Sequence, residues 1–154
     1  MCNFSIKISK NEFESEGDLV AEGVLKIGGD IENFNASLSY WGRRQYCSQW
    51  REALNRLTIG FDRTAVVTTM YDPATANFIF WWLLYVIEEK IYIQNHVLFM
   101  GDLEDDFDEE DIYKFIPIRE THTEEGEPIS EWSVTINDIE ECLRKDCFIT
   151  GQAN

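Results

Sequence analysis

The sequence predicts an α+β protein of one domain over residues 1–154: a mostly antiparallel twisted sheet, one main helix packed on one face, and a short C-terminal helix. Three observations predict it. Apolar and polar residues alternate along several short segments, the two-residue period of a strand with one buried face. From Tyr46 to Leu57 the apolar residues recur at three- and four-residue spacing instead, as on one side of a helix. Phe78 to Ile87 is apolar on both faces, which suits a central strand covered on both sides.

Taken in order, Asn3 to Ser9 alternates as Phe4, Ile6 and Ile8 against polar neighbours, a first strand. Glu12 to Asp18 reads as a polar, acidic connection, and Leu19 to Ile27 as the second strand. Gly28-Gly29-Asp30 is a turn, so the two strands can form a long-looped hairpin, with Ile31 to Leu38 as a short third strand. Ser39 is placed to cap the main helix, whose buried stripe is Tyr46, Trp50, Ala53, Leu54 and Leu57 and whose end is Gly60. Arg43, Arg44, Arg51 and Arg56 lie off that stripe and make the helix basic where it meets water. Ala65 to Tyr71 is a β-branched strand closed by Asp72-Pro73. Asn77 to Ile87 and Ile91 to Met100 form an antiparallel hairpin around Glu88-Glu89-Lys90. One side of this sheet should carry the helix, and the other should be only partly covered, by loops or by a partner. Ile112 to Ile118 is a short apolar segment, Glu120 to Pro128 a polar loop, and Trp132 to Ile136 a strand. Asn137 then caps a helix over Asp138 to Arg144, and the tail after Cys147 is expected to be loose.

Charge is distributed unevenly. Eight of the ten residues from Asp102 to Asp111 are acidic, interrupted only by Leu103 and Phe107. From Asp102 to Glu141 there are 16 acids against two bases, Lys114 and Arg119, leaving 13 of the 29 acids and 11 of the 13 bases for the rest. Most of the net charge of −16 therefore sits in one stretch. A pI near 4.3 argues against nucleic acid and anionic membranes as partners and for a basic protein, or for solubility alone. The acidic run can equally fold over the chain's own arginine-bearing helix. At 44% hydrophobic residues the chain has ample core material and is not disordered. No signal-peptide pattern opens it, its longest apolar run of ten residues (Phe78 to Ile87) is too short for a bilayer, and Cys2, Cys47, Cys142 and Cys147 form no CxxC pair. A reduced cytoplasmic setting is the expectation.

No constellation points to catalysis, a metal or a cofactor. The acidic run lacks the D-x-D-x-D-G register of a calcium loop. Cys142 and Cys147 with His96 or His122 fit no standard closed zinc site. Two histidines leave few options for a nucleophile and base, with Arg119 and His122 the best-placed pair. Binding remains. Asp102, Glu104, Asp105, Asp106, Asp108, Glu109, Glu110 and Asp111 supply charge for steering, Leu103 and Phe107 apolar anchors, and Glu124, Glu125 and Glu127 a possible rim. A nuclease active site is basic because it binds phosphate, so an acidic inhibitor complements it.

Further signatures are Tyr40-Trp41 with Gln45 and Gln49-Trp50-Arg51-Glu52-Ala53-Leu54, then Asn77-Phe78-Ile79-Phe80-Trp81-Trp82-Leu83-Leu84-Tyr85, Ile91-Tyr92-Ile93-Gln94-Asn95, and Ile129-Ser130-Glu131-Trp132-Ser133-Val134 ahead of Asp138-Ile139-Glu140. In that order they resemble immunity proteins of bacterial contact-dependent growth inhibition systems, over roughly Leu38 to Arg144. The resemblance implies stoichiometric binding of a cognate toxin C-terminal domain, in the cytoplasm and without catalysis. Its shared residues are mostly aromatic and structural in type, so it transfers no binding site. The acidic run is not part of the shared pattern, which makes it a pair-specific feature or a solvated loop. The alternative is a general acidic interaction domain, or a nucleic-acid mimic, for another basic protein.

Overall fold

The computed structural model describes residues 3–145 and 148–150. Its class is the expected α+β, with the strands dealt into two sheets. One contains β1 (Phe4–Ser15), β2 (Asp18–Ile27), β3 (Asp30–Ser37) and the two-residue β8 (Ile149–Thr150), in the order β3-β2-β1-β8. The other contains β4 (Arg63–Thr69), β5 (Phe78–Ile87), β6 (Lys90–Phe99) and β7 (Trp132–Thr135), in sequence order. Among the described residues every strand pairing is antiparallel except β1 with β8. The helices are α1 (Arg43–Thr58) and α2 (Ile136–Lys145).

The first hairpin is tighter than expected. Glu12 to Asp18 is not an open connection: β1 continues to Ser15 and turns at Glu16-Gly17. Positive φ values of 52° and 81° at those two residues match a turn whose twist follows that of the strands. Alternation is lost because a bulge between Ile8 and Glu12 shifts the register. Arg43 donates to the bulge carbonyls, Ser9 O and Lys10 O, at 2.7 Å each.

The main helix has the expected stripe, with Tyr46, Trp50, Ala53, Leu54 and Leu57 all buried. Its cap differs. Gly42 holds the N-cap position, and Gln45 Oε1 accepts its N–H at 2.9 Å, while Ser39 Oγ donates to Asp18 instead. The helix also explains why there are two sheets. Gln49 straddles the outer edge of β4, with Nε2 donating to Ala65 O and Oε1 accepting from Val67 N, both at 2.8 Å. Trp50 Nε1 donates to Val67 O at 2.7 Å, and the Tyr46 hydroxyl accepts from Met70 N at 2.9 Å while donating to Ser37 O at 2.7 Å. Helix side chains thus occupy the ladder positions that a strand would take, and the edge cannot pair further.

In the second sheet the register places Ile79, Trp81, Leu83 and Tyr85 opposite Leu98, His96, Gln94 and Tyr92 on one face. The 117–131 segment lies over this face: Tyr85 donates to Pro117 O at 2.9 Å and Gln94 to Glu120 O at 2.8 Å. The opposite face, with Trp82, Leu84, Ile91 and Ile93, turns inward, where Trp82 meets Trp132 at 5.4 Å and Trp132 donates to Asp30 of β3 at 2.8 Å. One hydrophobic cluster draws on both sheets and both helices.

At the C-terminus, α2 is capped by Thr135 rather than Asn137. Asp138 N donates to Thr135 Oγ1 at 3.3 Å, and Asp138 Oδ2 accepts from Thr135 N at 2.9 Å, a reciprocal box. The expected loose tail is held at its start, since Phe148 is buried and Ile8 N donates to its carbonyl at 2.7 Å. Residues 151–154 of that tail, and Cys2 and Cys147, lie outside the described residues. Cys47 and Cys142 are buried.

Candidate functional site

The acidic run leaves β6 through a 3₁₀ turn, Met100–Asp102, and ends in a second, Glu109–Phe115, broken at Asp111 where φ is −142°. Its two apolar residues fasten it to the chain. Leu103 and Phe107 are half-buried against the core, and the Phe107 ring stacks on Phe115 at 5.6 Å. Two of the acids have internal roles. Asp108 accepts from Glu110 N at 3.0 Å and lies 3.6 Å from Lys114 Nζ. Glu109 accepts from the Tyr40 hydroxyl at 2.5 Å and from Trp41 Nε1 at 2.9 Å. That bond, then burial, pushes the Tyr40 phenol up to about 12.

The other six, Asp102, Glu104, Asp105, Asp106, Glu110 and Asp111, are exposed. The helix arginines do not absorb them. Arg43 faces the bulge and Glu12, Arg51 lies over the Phe148 ring, and Arg56 sits between Tyr113 and Phe61 at 3.9 and 4.0 Å. Only Arg44 approaches the run, in a cleft of about 440 Å³ shared with Trp41, Glu52, Glu109 and Glu110. Glu124, Glu125 and Glu127 are exposed in a separate loop closed by Thr123 N donating to Glu127 O at 2.8 Å.

A neighbouring feature lies outside the expected site, although a partly covered sheet face is itself expected from the sequence. The inward face of β5 and β6 is not covered to its end: Phe80, Val97 and Phe99 are exposed where β6 runs into the acidic segment. Reading both faces of β5 as apolar concealed this, since alternation reveals which side a residue is on but not where its cover stops.

The pair suspected of chemistry is separated. Arg119 makes a two-point bridge to Glu131, at 2.8 Å through Nε and 2.6 Å through Nη2, and lies 4.4 Å from the Tyr92 ring centre. Glu131 also accepts from Gln94 at 2.8 Å. Burial pushes the Glu131 carboxyl up, but the bonds from Arg119 and Gln94 and the Arg119 charge outweigh it, leaving it below its ordinary range. His122 instead faces Thr121 Oγ1 at 3.0 Å. Among the described residues no cluster of three metal-ligating side chains occurs. None of their helices is long and apolar enough to cross a membrane. An apolar cleft of about 600 Å³, bordered by Leu57, Phe61, Val86, Ile91 and Ile136, contains acids but no histidine or cysteine.

Residues 36–142 match the family described as the CdiI N-terminal domain. The chain is 37% identical over 124 residues to the immunity protein CdiI of Enterobacter cloacae, spanning 80% of this chain and 85% of that protein. It is also similar to a chain of the CdiA-CT/CdiI toxin and immunity complex from Enterobacter cloacae, with a TM-score of 0.85 and 34% identity, covering 93% of this chain and 97% of that one. The residues of the resemblance are the ones that build the frame, Gln49 and Trp50 at the β4 edge and Glu131 and Trp132 at the loop and sheet junctions. On this agreement of sequence and fold, the chain belongs to the CdiI family of contact-dependent growth inhibition immunity proteins.

Proposed function

We propose that this chain, acting as one immunity domain in the cytoplasm, binds and neutralises the C-terminal domain of a cognate toxin through Asp102 to Asp111. The toxin domain is basic and of nuclease type. Membership of a family of immunity proteins makes the chain an inhibitor rather than an enzyme. The observation that carries the site is the division of labour within the run. Leu103, Phe107 and Glu109 hold it in place, while six carboxylates remain exposed. A fixed array of like charges favours a cationic partner and speeds its approach.

The test is a four-residue reversal, Glu104→Lys, Asp105→Lys, Asp106→Lys and Glu110→Lys, titrated against the toxin domain encoded beside this gene. Association should slow by about 10–100-fold at low salt, and its salt dependence should flatten. Unchanged affinity and salt dependence would remove the run from the interface. Degradation of nucleic acid by the isolated toxin domain, abolished by an equimolar amount of this chain, tests the nuclease assignment. An intact nucleic-acid substrate in the absence of this chain would reject it.

A further inference from the structure

The exposed end of the second sheet is an aromatic strip. Phe78 packs on Phe80 and Phe99 at ring separations of 5.5 and 6.3 Å, and Tyr71 meets Phe78 at 5.5 Å. Val97 stands opposite Phe80, and Phe99 opposite Phe78. Phe80 is 37% exposed, Val97 38% and Phe99 51%. Tyr40, 40% exposed, is within reach of the charge of Asp72, which follows Tyr71, and donates to Glu109.

Acids border the strip from three parts of the chain. Phe99 leads directly into Met100–Asp102 and the acidic run. Asp72 follows Tyr71 and acts on the Tyr40 hydroxyl, and Asp18 and Glu16 act on the Tyr71 hydroxyl. Ser39 is tied to Asp18, and Tyr40 and Trp41 to Glu109, so one short segment links the first hairpin to the run. Apart from Arg44, which shares the cleft with Trp41 and Glu109, bases are sparse around the strip. Between Arg63 and Lys114 the only one is Lys90, at the opposite end of the β5–β6 hairpin.

We propose that Tyr40, Tyr71, Phe78, Phe80, Val97 and Phe99 form the apolar centre of the toxin interface, receiving apolar side chains of the toxin domain that are ringed by lysine and arginine. This rests on the reading above that the partner is a basic toxin domain, and it relocates the holding contacts. Leu103 and Phe107 are spent on fastening the run to its own chain. Interfaces draw most of their affinity from a few central aromatic anchors, while charges at the rim mainly govern the rate of approach. A second copy of this chain fits less well, because its matching surface would bring the same acids together.

The experiment measures association and dissociation of the full chain with the adjacent toxin domain for three variants. These are Phe80→Ala/Phe99→Ala, the four-residue charge reversal, and Ile118→Ala, which removes an apolar side chain 80% exposed elsewhere. The phenylalanine variant should bind about 10–100-fold more weakly, through faster dissociation and with its salt dependence retained, and Ile118→Ala should change affinity less than about twofold. Normal binding by the phenylalanine variant, with weakened binding by the charge reversal, overturns the strip and leaves the acidic interface intact. The converse supports the strip and removes the run, and two silent variants remove both. A benzophenone amino acid in place of Phe99 gives a readout independent of stability. It should crosslink to the toxin domain, and a crosslink to a second copy, or none, overturns the proposal.

Discussion

Glu109 and its neighbour Glu110 illustrate how little a residue's type reveals about its task. Both are acids within the same run, but Tyr40 and Trp41 bind the first, and the second stays exposed. The Tyr40-Trp41 pair was visible as a motif; its partner, 68 residues away from Trp41, was not. His96 lies on the covered face of the second sheet with Nε2 2.7 Å from Gln94 Oε1. Because Gln94 Nε2 donates to Glu120 O and Glu131, its Oε1 accepts, so His96 carries its proton on Nε2. Burial lowers the His96 pKa below its ordinary value of 6.5, with the charge of Glu120 opposing. The unfolded chain therefore takes up the proton first, and stability falls as pH drops through 6.5 towards the folded value. Urea unfolding as a function of pH should show this loss, and His96→Gln should remove that component. An identical pH profile in the variant would refute the assignment.

The element that most shapes the fold is α1, and its buried stripe was legible because a 3.6-residue period is a local property. The use of Gln49 was not. A polar residue beside Trp50 reads as the margin of a helix face, whereas its amide completes the ladder of β4 at both Ala65 O and Val67 N. Gln49→Ala should destabilise the protein by about 2–4 kcal/mol, since two buried backbone groups lose their partner. Gln49→Glu should be nearly as damaging, because a carboxylate cannot donate to Ala65 O. Chemical denaturation measures both, and a neutral Gln49→Glu would show that the edge is satisfied otherwise. The β2–β3 hairpin has a comparable hidden dependence. A side chain on Gly23 would meet the Phe34 ring at 2.1 Å, and that ring packs edge-on against Trp50 at 6.1 Å. The glycine lies inside a strand pattern, and only the cross-strand register reveals why it is needed.

At the scale of the whole molecule, the net charge of −16 is a cost that the isolated protein carries. Its stability should rise with ionic strength. Glu104→Gln, Asp105→Asn, Asp106→Asn and Glu110→Gln together should raise stability at low salt by about 1 kcal/mol while slowing association with the toxin domain. Denaturation at low and high salt, paired with binding kinetics, measures both effects; equal stability at both salts would show that the run's repulsion is negligible. By itself the sequence determined the α+β class, most strand and helix positions, the family, and the concentration of acid in one segment. These follow from local periodicity, composition and recognisable side-chain order. Tertiary structure alone decided that the strands divide into two sheets, that Glu12 to Ser15 continues the first strand past a bulge, and that Leu103, Phe107 and Glu109 face inward. It also decided that an aromatic strip stays open beside the acids. Each of those outcomes depends on contacts between residues far apart in the chain, and a one-dimensional pattern records which side chains could be buried without recording what covers them.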